Sequence, residues 1–242
     1  MERTKYLLIA MLFFTITSNA NPDYKSIIYK AYISNDMSKW KVTMDEMNLV
    51  KDKSHDFILE LINYQYGYIG LSLGNKKETE ARHYINLARK NIQVLQAKSY
   101  KLSYVNAYMA ALYGFEMGLN NFKAPFIGPK SIKCAELAME LDKTNPYGYI
   151  QFGNSQYYMP PAFGGSKTVA IEYYLKAEKL MELNKEQIKD DWNYLSLQTA
   201  IAQAYEETGK WGLAKLYYEK ILKIEPDYSW VKNELYPAIL KK

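Results

Sequence analysis

The sequence predicts an all-α chain in which antiparallel helix pairs stack into an α-solenoid, about four units followed by a C-terminal capping helix. Three observations carry this. Apolar residues recur at helical spacing almost throughout, and no alternating strand pattern of useful length occurs. Proline and glycine are sparse, 8 and 12 in 242 residues, and mostly bound the periodic segments. One spacing, four residues then three, returns on four segments: Ala81-Ile85-Ala88, Cys134-Ala138-Leu141, Ala170-Tyr174-Ala177 and Ala214-Tyr218-Ile221. Recurrence of one spacing marks a stack of like units.

Residues 1–20 read as an export signal. Arg3 and Lys5 precede a short apolar run, Leu7 to Ile16, and Ser18-Asn19-Ala20 offers small residues for cleavage. The run is too brief to span a bilayer. Residues 21–242 form one helical domain with no membrane-spanning segment, exported to the periplasm or the cell exterior. Losing Glu2, Arg3 and Lys5 takes the net charge from +5 to +4.

The elements follow in order. Tyr24 to Ser34 sets Ile27, Ile28 and Ala31 on one face; Asn35-Asp36 breaks it, and Met37 to Val50 follows with Trp40, Met44 and Met47. Asp56 to Leu73 is a helix closed by Gly74-Asn75 as a C-cap, and Glu78 to Leu95 pairs with it. Tyr104 to Leu119, the segment around Cys134, Tyr147 to Tyr158 and the segment around Ala170 continue the series. Asp190-Asp191 before Trp192 reads as a helix start, where negative charge suits the dipole. After Pro226 a capping helix begins at Ser229 as N-cap and carries Trp230, Leu235, Ile239 and Leu240.

From Gln198 to Pro226 the chain carries Ile201-Ala202, Tyr205, Ala214, Tyr218 and Pro226. That run resembles the tetratricopeptide repeat, whose period is about 34 residues, with Gln198 where a Trp is usual. The resemblance implies a right-handed solenoid in which Ala202 and Ala214 let two helices approach and Tyr218 fills the space toward the next. Phe152-Gly153 resembles the Leu-Gly pair of the same motif. The earlier anchors stand 53, 36 and 44 residues apart, so the first units are degenerate and carry insertions. Asn145-Pro146 and Glu225-Pro226 each end a unit, their prolines 12 residues past Cys134 and Ala214. Cys134 thus takes the place of the packing alanines, Ala81 and Ala170 among them, as a small buried residue.

Two insertions carry the candidate binding groups. Phe122 to Lys130 and Tyr157 to Lys167 both run aromatic, proline, aromatic, glycine, lysine, and are read as loops between paired helices. Phe126 and Phe163 either tuck back into the stack or roof a binding groove together with Tyr157 and Tyr158. The groove floor is read from the first helices of the units: Tyr108, Leu112 and Phe115; Tyr147, Ile150 and Asn154; Ser196, Thr199, Gln203 and Glu206. Ile150 stands where the peptide-carboxylate-binding members of the resembled family place a Lys, which disfavours that mode. The loop Pro161 to Lys167 is also similar to a segment of the periplasmic helical-repeat subunit of some organic-acid transporters, a resemblance that implies a small-molecule or lipid carrier.

Composition narrows the function classes. Glu and Lys alternate along most segments, and no basic stripe of the kind nucleic-acid binding needs is present. Twenty-four Tyr, by far the commonest aromatic residue here, are expected to pack their rings and leave their hydroxyls wet. His55 and His83 lack partners at metal-ligand spacing, and Cys134 has no nearby His to activate it. The expectation is a non-enzymatic scaffold with no cofactor or metal. Its partner is a protein or peptide held in the concave groove; the alternative is a small apolar ligand.

Overall fold

Several helices begin where a side chain supplies an acceptor for the orphan N–H groups. The computed structural model describes residues 23–242; residues 1–20, read as an export signal, lie outside them. Asp23 opens α1 (Tyr24–Ile33) by accepting from the Ser26 amide at 3.1 Å, and Asp36 opens α2 (Met37–Leu49) by accepting from Lys39 at 2.9 Å. Ser54 and Ser166 do the same for α3 (His55–Gly74) and α8 (Lys167–Glu182). Asn145 caps α7 (Pro146–Tyr158), whose first residue is the proline read as a unit boundary. The remaining helices are α4 (Glu78–Ala97), α5 (Leu102–Leu119), α6 (Ala124–Leu141), the single turn α9 (Lys185–Ile188), α10 (Trp192–Glu207), α11 (Trp211–Ile224) and α12 (Tyr236–Ile239). No strand occurs among the described residues. Pairs α1/α2, α3/α4, α5/α6, α7/α8 and α10/α11 form five hairpins, one more than the recurring spacing marks.

Three hairpins turn in the same way. Asn35, Lys76 and Gly209 each sit two residues before the second helix with left-handed φ of 57°, 59° and 73°. In each, the next amide reaches back at 2.8 Å to a carbonyl in the last turn of the first helix: Asp36 to Ala31, Lys77 to Ser72, Lys210 to Tyr205. This is a Schellman closure, which satisfies the helix-end carbonyls. Asn75 is the C-cap of α3, as read, with Gly74 the last helical residue; the left-handed conformation falls one residue on, at Lys76. The α5/α6 and α7/α8 hairpins lack this turn.

Close packing uses small residues at the helix contacts, as read. Ala81, Ala170, Ala202 and Ala214 are fully buried, and so is the Tyr218 ring. A Cβ on Gly153 would lie 2.6 Å from the Tyr174 ring, so only glycine allows α7 that close to α8. Tyr205 is buried, and Pro226 ends α11 in an exposed turn.

Cys134 is a correction. Its side chain is half-buried; Ser131, Ala135 and Ala138 of α6 face the core instead. That triplet keeps the four-then-three spacing one turn earlier. Ser131 fills the alanine position and donates its hydroxyl to the Ala110 carbonyl at 2.8 Å. The proline offset misled because four residues, Asp142 to Asn145, separate the end of α6 from Pro146, whereas Glu225 alone separates α11 from Pro226.

Phe122 to Lys130 is a second correction. Asn121–Lys123 is a 3₁₀ turn, and α6 already begins at Ala124. Pro125 lies in the first turn, where its missing N–H costs nothing, and Pro129 forfeits only one further bond. The capping helix is irregular: residues 231–235 form a π-turn just before Pro237, whose ring and missing N–H disturb the ladder. Ser229 begins that helix rather than capping it, and the Tyr228 carbonyl accepts from the Lys232 amide at 2.9 Å.

The two ends of the stack meet. Tyr29 donates to Glu225 at 2.9 Å, Tyr228 donates to Tyr32 at 2.6 Å, and Lys25 binds the Lys189 carbonyl at 2.7 Å. Trp192, at the start of α10, packs on Trp40 of α2 and Tyr32 of α1 with ring centroids 5.1 and 5.7 Å apart. The concave side is therefore drawn together rather than left as a continuous groove.

Candidate functional site

The inner face is built from α3, α5, α7 and the start of α10, whose residues converge on one polar centre. Asn63 of α3 and Asn193 of α10 exchange amide bonds at 3.1 and 3.2 Å. Asn63 also donates to the Tyr108 hydroxyl at 2.7 Å and accepts from the Trp192 indole at 3.0 Å. Three of these side chains are more than nine-tenths buried and Asn63 is 9% exposed, so each polar atom needs a partner, and this network supplies them.

A cleft of about 270 Å³ opens in front of that centre. Tyr64, Tyr104, Tyr108, Tyr147 and Trp192 form its aromatic walls. The Tyr104 and Tyr108 rings both lie against Tyr147, at 5.5 and 5.6 Å. Its ionisable lining is Asp56, Glu60, Asp191 and Lys25. Asp191 caps α10 through Oδ1, which accepts the Asn193 amide and side chain, both at 2.9 Å. Burial pushes the Asp191 carboxyl above the usual carboxylate range, against the pull of those bonds and of Lys25. Glu60 accepts from Tyr64 at 2.6 Å, and Asp56 pairs with Lys101 at 2.7 Å. Burial also raises the Tyr104, Tyr108 and Tyr147 phenols, so all three stay neutral donors. Behind the cleft, sharing Tyr147, Trp192 and Asn193, lies a recess of about 40 Å³ bounded by Tyr66, Asn154 and Tyr174.

Of the residues singled out in the sequence, Tyr108 and Tyr147 lie in the cleft and Asn154 in the recess, where it accepts from Tyr174 at 2.8 Å. Phe115 stacks at 5.6 Å on Tyr66, a wall of the recess. Tyr157 is tied elsewhere: its hydroxyl bonds Glu207, which also pairs with Lys167, and the Lys167 ammonium sits 4.3 Å over its ring. Gln203 is half-buried on α10, away from the cleft lining.

Phe126 and Phe163 do not tuck into the stack; they are 76% and 77% exposed, as is Tyr158 at 77%. Neither phenylalanine lines the cleft. The backbone of the Phe163 loop is nonetheless closely packed and hydrogen-bonded. Ser166 bonds the Gln156 carbonyl at 3.0 Å, Gly164 adopts φ 93°, and a Cβ on Gly165 would collide with the Met159 carbonyl at 1.8 Å.

Asn63, Tyr104, Asp191, Trp192 and Asn193 are among the cleft residues sequence reasoning missed, as are Glu60 and Tyr64. Asp191 and Trp192 were legible as a helix start, but nothing in the sequence brings that start to Asn63, 130 positions before Asn193. Cys134 and the histidines stay outside: burial raises the Cys134 thiol, which lowers its reactivity, while His55 and His83 lie against Tyr100 and Tyr84. Among the described residues no His, Cys, Asp and Glu side chains are grouped so as to hold a metal, and no helix is long and apolar enough to cross a membrane.

No protein-family model matches the sequence, and no curated protein matches it. Solved structures do share its architecture. It is similar to the HusA haemophore from Porphyromonas gingivalis at TM-score 0.61 and 16% identity, covering 78% of this chain and 96% of that one. It is also similar to a thermophilic TPR protein in Thermus thermophilus at TM-score 0.53 and 16% identity, covering 88% and 91%. At such identity the likeness is one of fold: a TPR-like stack of helix pairs.

Proposed function

We propose that the chain is an exported, non-enzymatic binding protein that takes a small organic molecule into the tyrosine-walled cleft. One observation carries this reading: helices from both ends of the chain close around a single cleft whose floor is a fully bonded amide and indole network. A floor of that kind holds the walls in place before the ligand arrives, which lowers the cost of binding. A long peptide would need an open groove, and the meeting of α1 with α10 removes it. The structural neighbour named a haemophore supports a small organic cargo for this architecture. The chain purified from its own cells should show, in native mass spectrometry, a bound small molecule that Tyr104→Ala loses. A chain that is empty from every source overturns the reading.

The exposed rim favours a second reading, capture of a protein or peptide. Phe122, Phe126, Tyr158 and Phe163 are large and open to solvent, on backbone held by hydrogen bonds. Exposed aromatics on a rigid support are inexpensive binding groups. A pull-down from the native envelope fraction should then retain one dominant protein with the parent chain and none with Phe126→Ser/Phe163→Ser. Equal recovery with both would discard this second role.

A further inference from the structure

The charge of the cleft says what it holds. Resting on the small-ligand reading, we propose that the occupant is an organic cation, of the quaternary-ammonium or protonated-amine class, seated among Tyr104, Tyr108, Tyr147 and Trp192 and countered by Asp191 and Glu60.

Three features converge on this. The first is the wall material: phenol and indole faces attract a cation through the ring quadrupole, and several rings around one site recognise alkylated ammonium groups. The second is the sign of the lining. Three carboxylates face one ammonium there, in a chain whose overall charge is +5. Lys25 is already committed to the carbonyls of Gln187 and Lys189 at 3.3 and 2.7 Å, so it offers an incoming anion little. Asp56 is neutralised by Lys101, which leaves Glu60 and Asp191 to act on the ligand. The third is Asp191 itself. Its Oδ1 takes both Asn193 bonds, and Oδ2 has no protein donor among the described residues. A partly buried carboxylate with one oxygen free of protein donors, beside a cavity of about 270 Å³ and with Lys25 as the one ammonium of the lining, can take a further positive charge from a ligand. A bare metal ion does not fit, because the carboxylates are not grouped to coordinate one.

Calorimetric titration tests this with choline, its neutral isostere 3,3-dimethylbutan-1-ol, and haemin as a flat anion. The expected result is saturable choline binding, at least tenfold weaker binding of the alcohol, and a further tenfold or greater loss of choline affinity in Asp191→Asn/Glu60→Gln. Both substitutions are isosteric; Asn still caps α10 and Gln still accepts from Tyr64, so circular dichroism should match the parent fold. Equal binding of choline and the alcohol, or binding of haemin alone, overturns the cation while leaving a small-ligand cleft. Failure of all three probes, with a chain that carries nothing when isolated from its own cells, removes both readings.

Discussion

Asn63 and Asn193, 130 residues apart, face each other as a reciprocal amide pair at 3.1 and 3.2 Å, and the Trp192 indole adds a third bond at 3.0 Å. That contact fixes α3 against α10 and so defines the cleft. Asn63→Leu would strand the Trp192 N–H, the Asn193 amide and the Tyr108 hydroxyl in a buried setting. The expected loss is about 3 kcal/mol or more in urea unfolding, since each of the three orphaned groups costs about 1–3 kcal/mol. A double-mutant cycle with Asn193→Ala should give a coupling above about 1 kcal/mol. Additive losses would mean the pair does not act as one unit.

Gly153→Ala should cost about 1–3 kcal/mol, because its new methyl meets the fully buried Tyr174 ring at 2.6 Å. The accompanying control is Gly114→Ala, whose Cβ meets nothing within 4 Å. Matching urea midpoints for the two variants would contradict the packing argument.

The shared hairpin turn predicts opposite effects at equivalent sites. Lys76→Gly relieves a left-handed side chain and should raise stability by about 1 kcal/mol, whereas Gly209→Ala should lower it by a similar amount. Thermal midpoints moving in the same direction would show that the turns are not equivalent.

Asp191 and Glu182 make contrary demands on pH. For Asp191, burial raises the folded carboxyl above its ordinary value of 3.8. Its ionisation therefore opposes folding, and stability is lost as pH rises from that value through the raised one. Asp191→Asn should then be more stable than the parent at neutral pH. For Glu182, burial raises the carboxyl, but the bonds from Lys220 and Tyr194 outweigh it and leave it below 4.5. Its contribution is present above 4.5 and lost as pH falls through the lowered value. Lys220→Met should flatten the acid limb of a urea-midpoint profile below that pH. An unchanged acid limb would count against the Glu182 pairing.

The architecture was legible where it rests on local periodicity. The alanine anchors Ala81, Ala170 and Ala214, the Gly153 approach and the Asp191 helix start all lie where the spacing put them. The register of α6 was not, because Ser131 and Cys134 are both small and only the fold decides which faces inward. The tyrosine hydroxyls were misjudged too. Tyr68, Tyr194 and Tyr218 each bond a glutamate 12 residues away on a neighbouring helix, Glu80, Glu182 and Glu206. Gln198, in the usual Trp position, likewise serves a polar contact, donating to the buried Glu178 that Lys220 and Tyr217 also hold. The cleft was least legible, since it depends on which distant helices touch.

The Tyr32–Tyr228 bond joins residues 196 positions apart and makes the first hairpin a direct neighbour of the last. In a linear repeat array each unit senses only the next one along, so the ends fray independently and a terminal unit can be clipped away with little effect on the other end. Here the array bites its own tail. Trimming α1 would uncover Tyr228 and Trp192 as surely as trimming the C-terminus would uncover Tyr32, and melting should run as a single transition instead of peeling inward from either side.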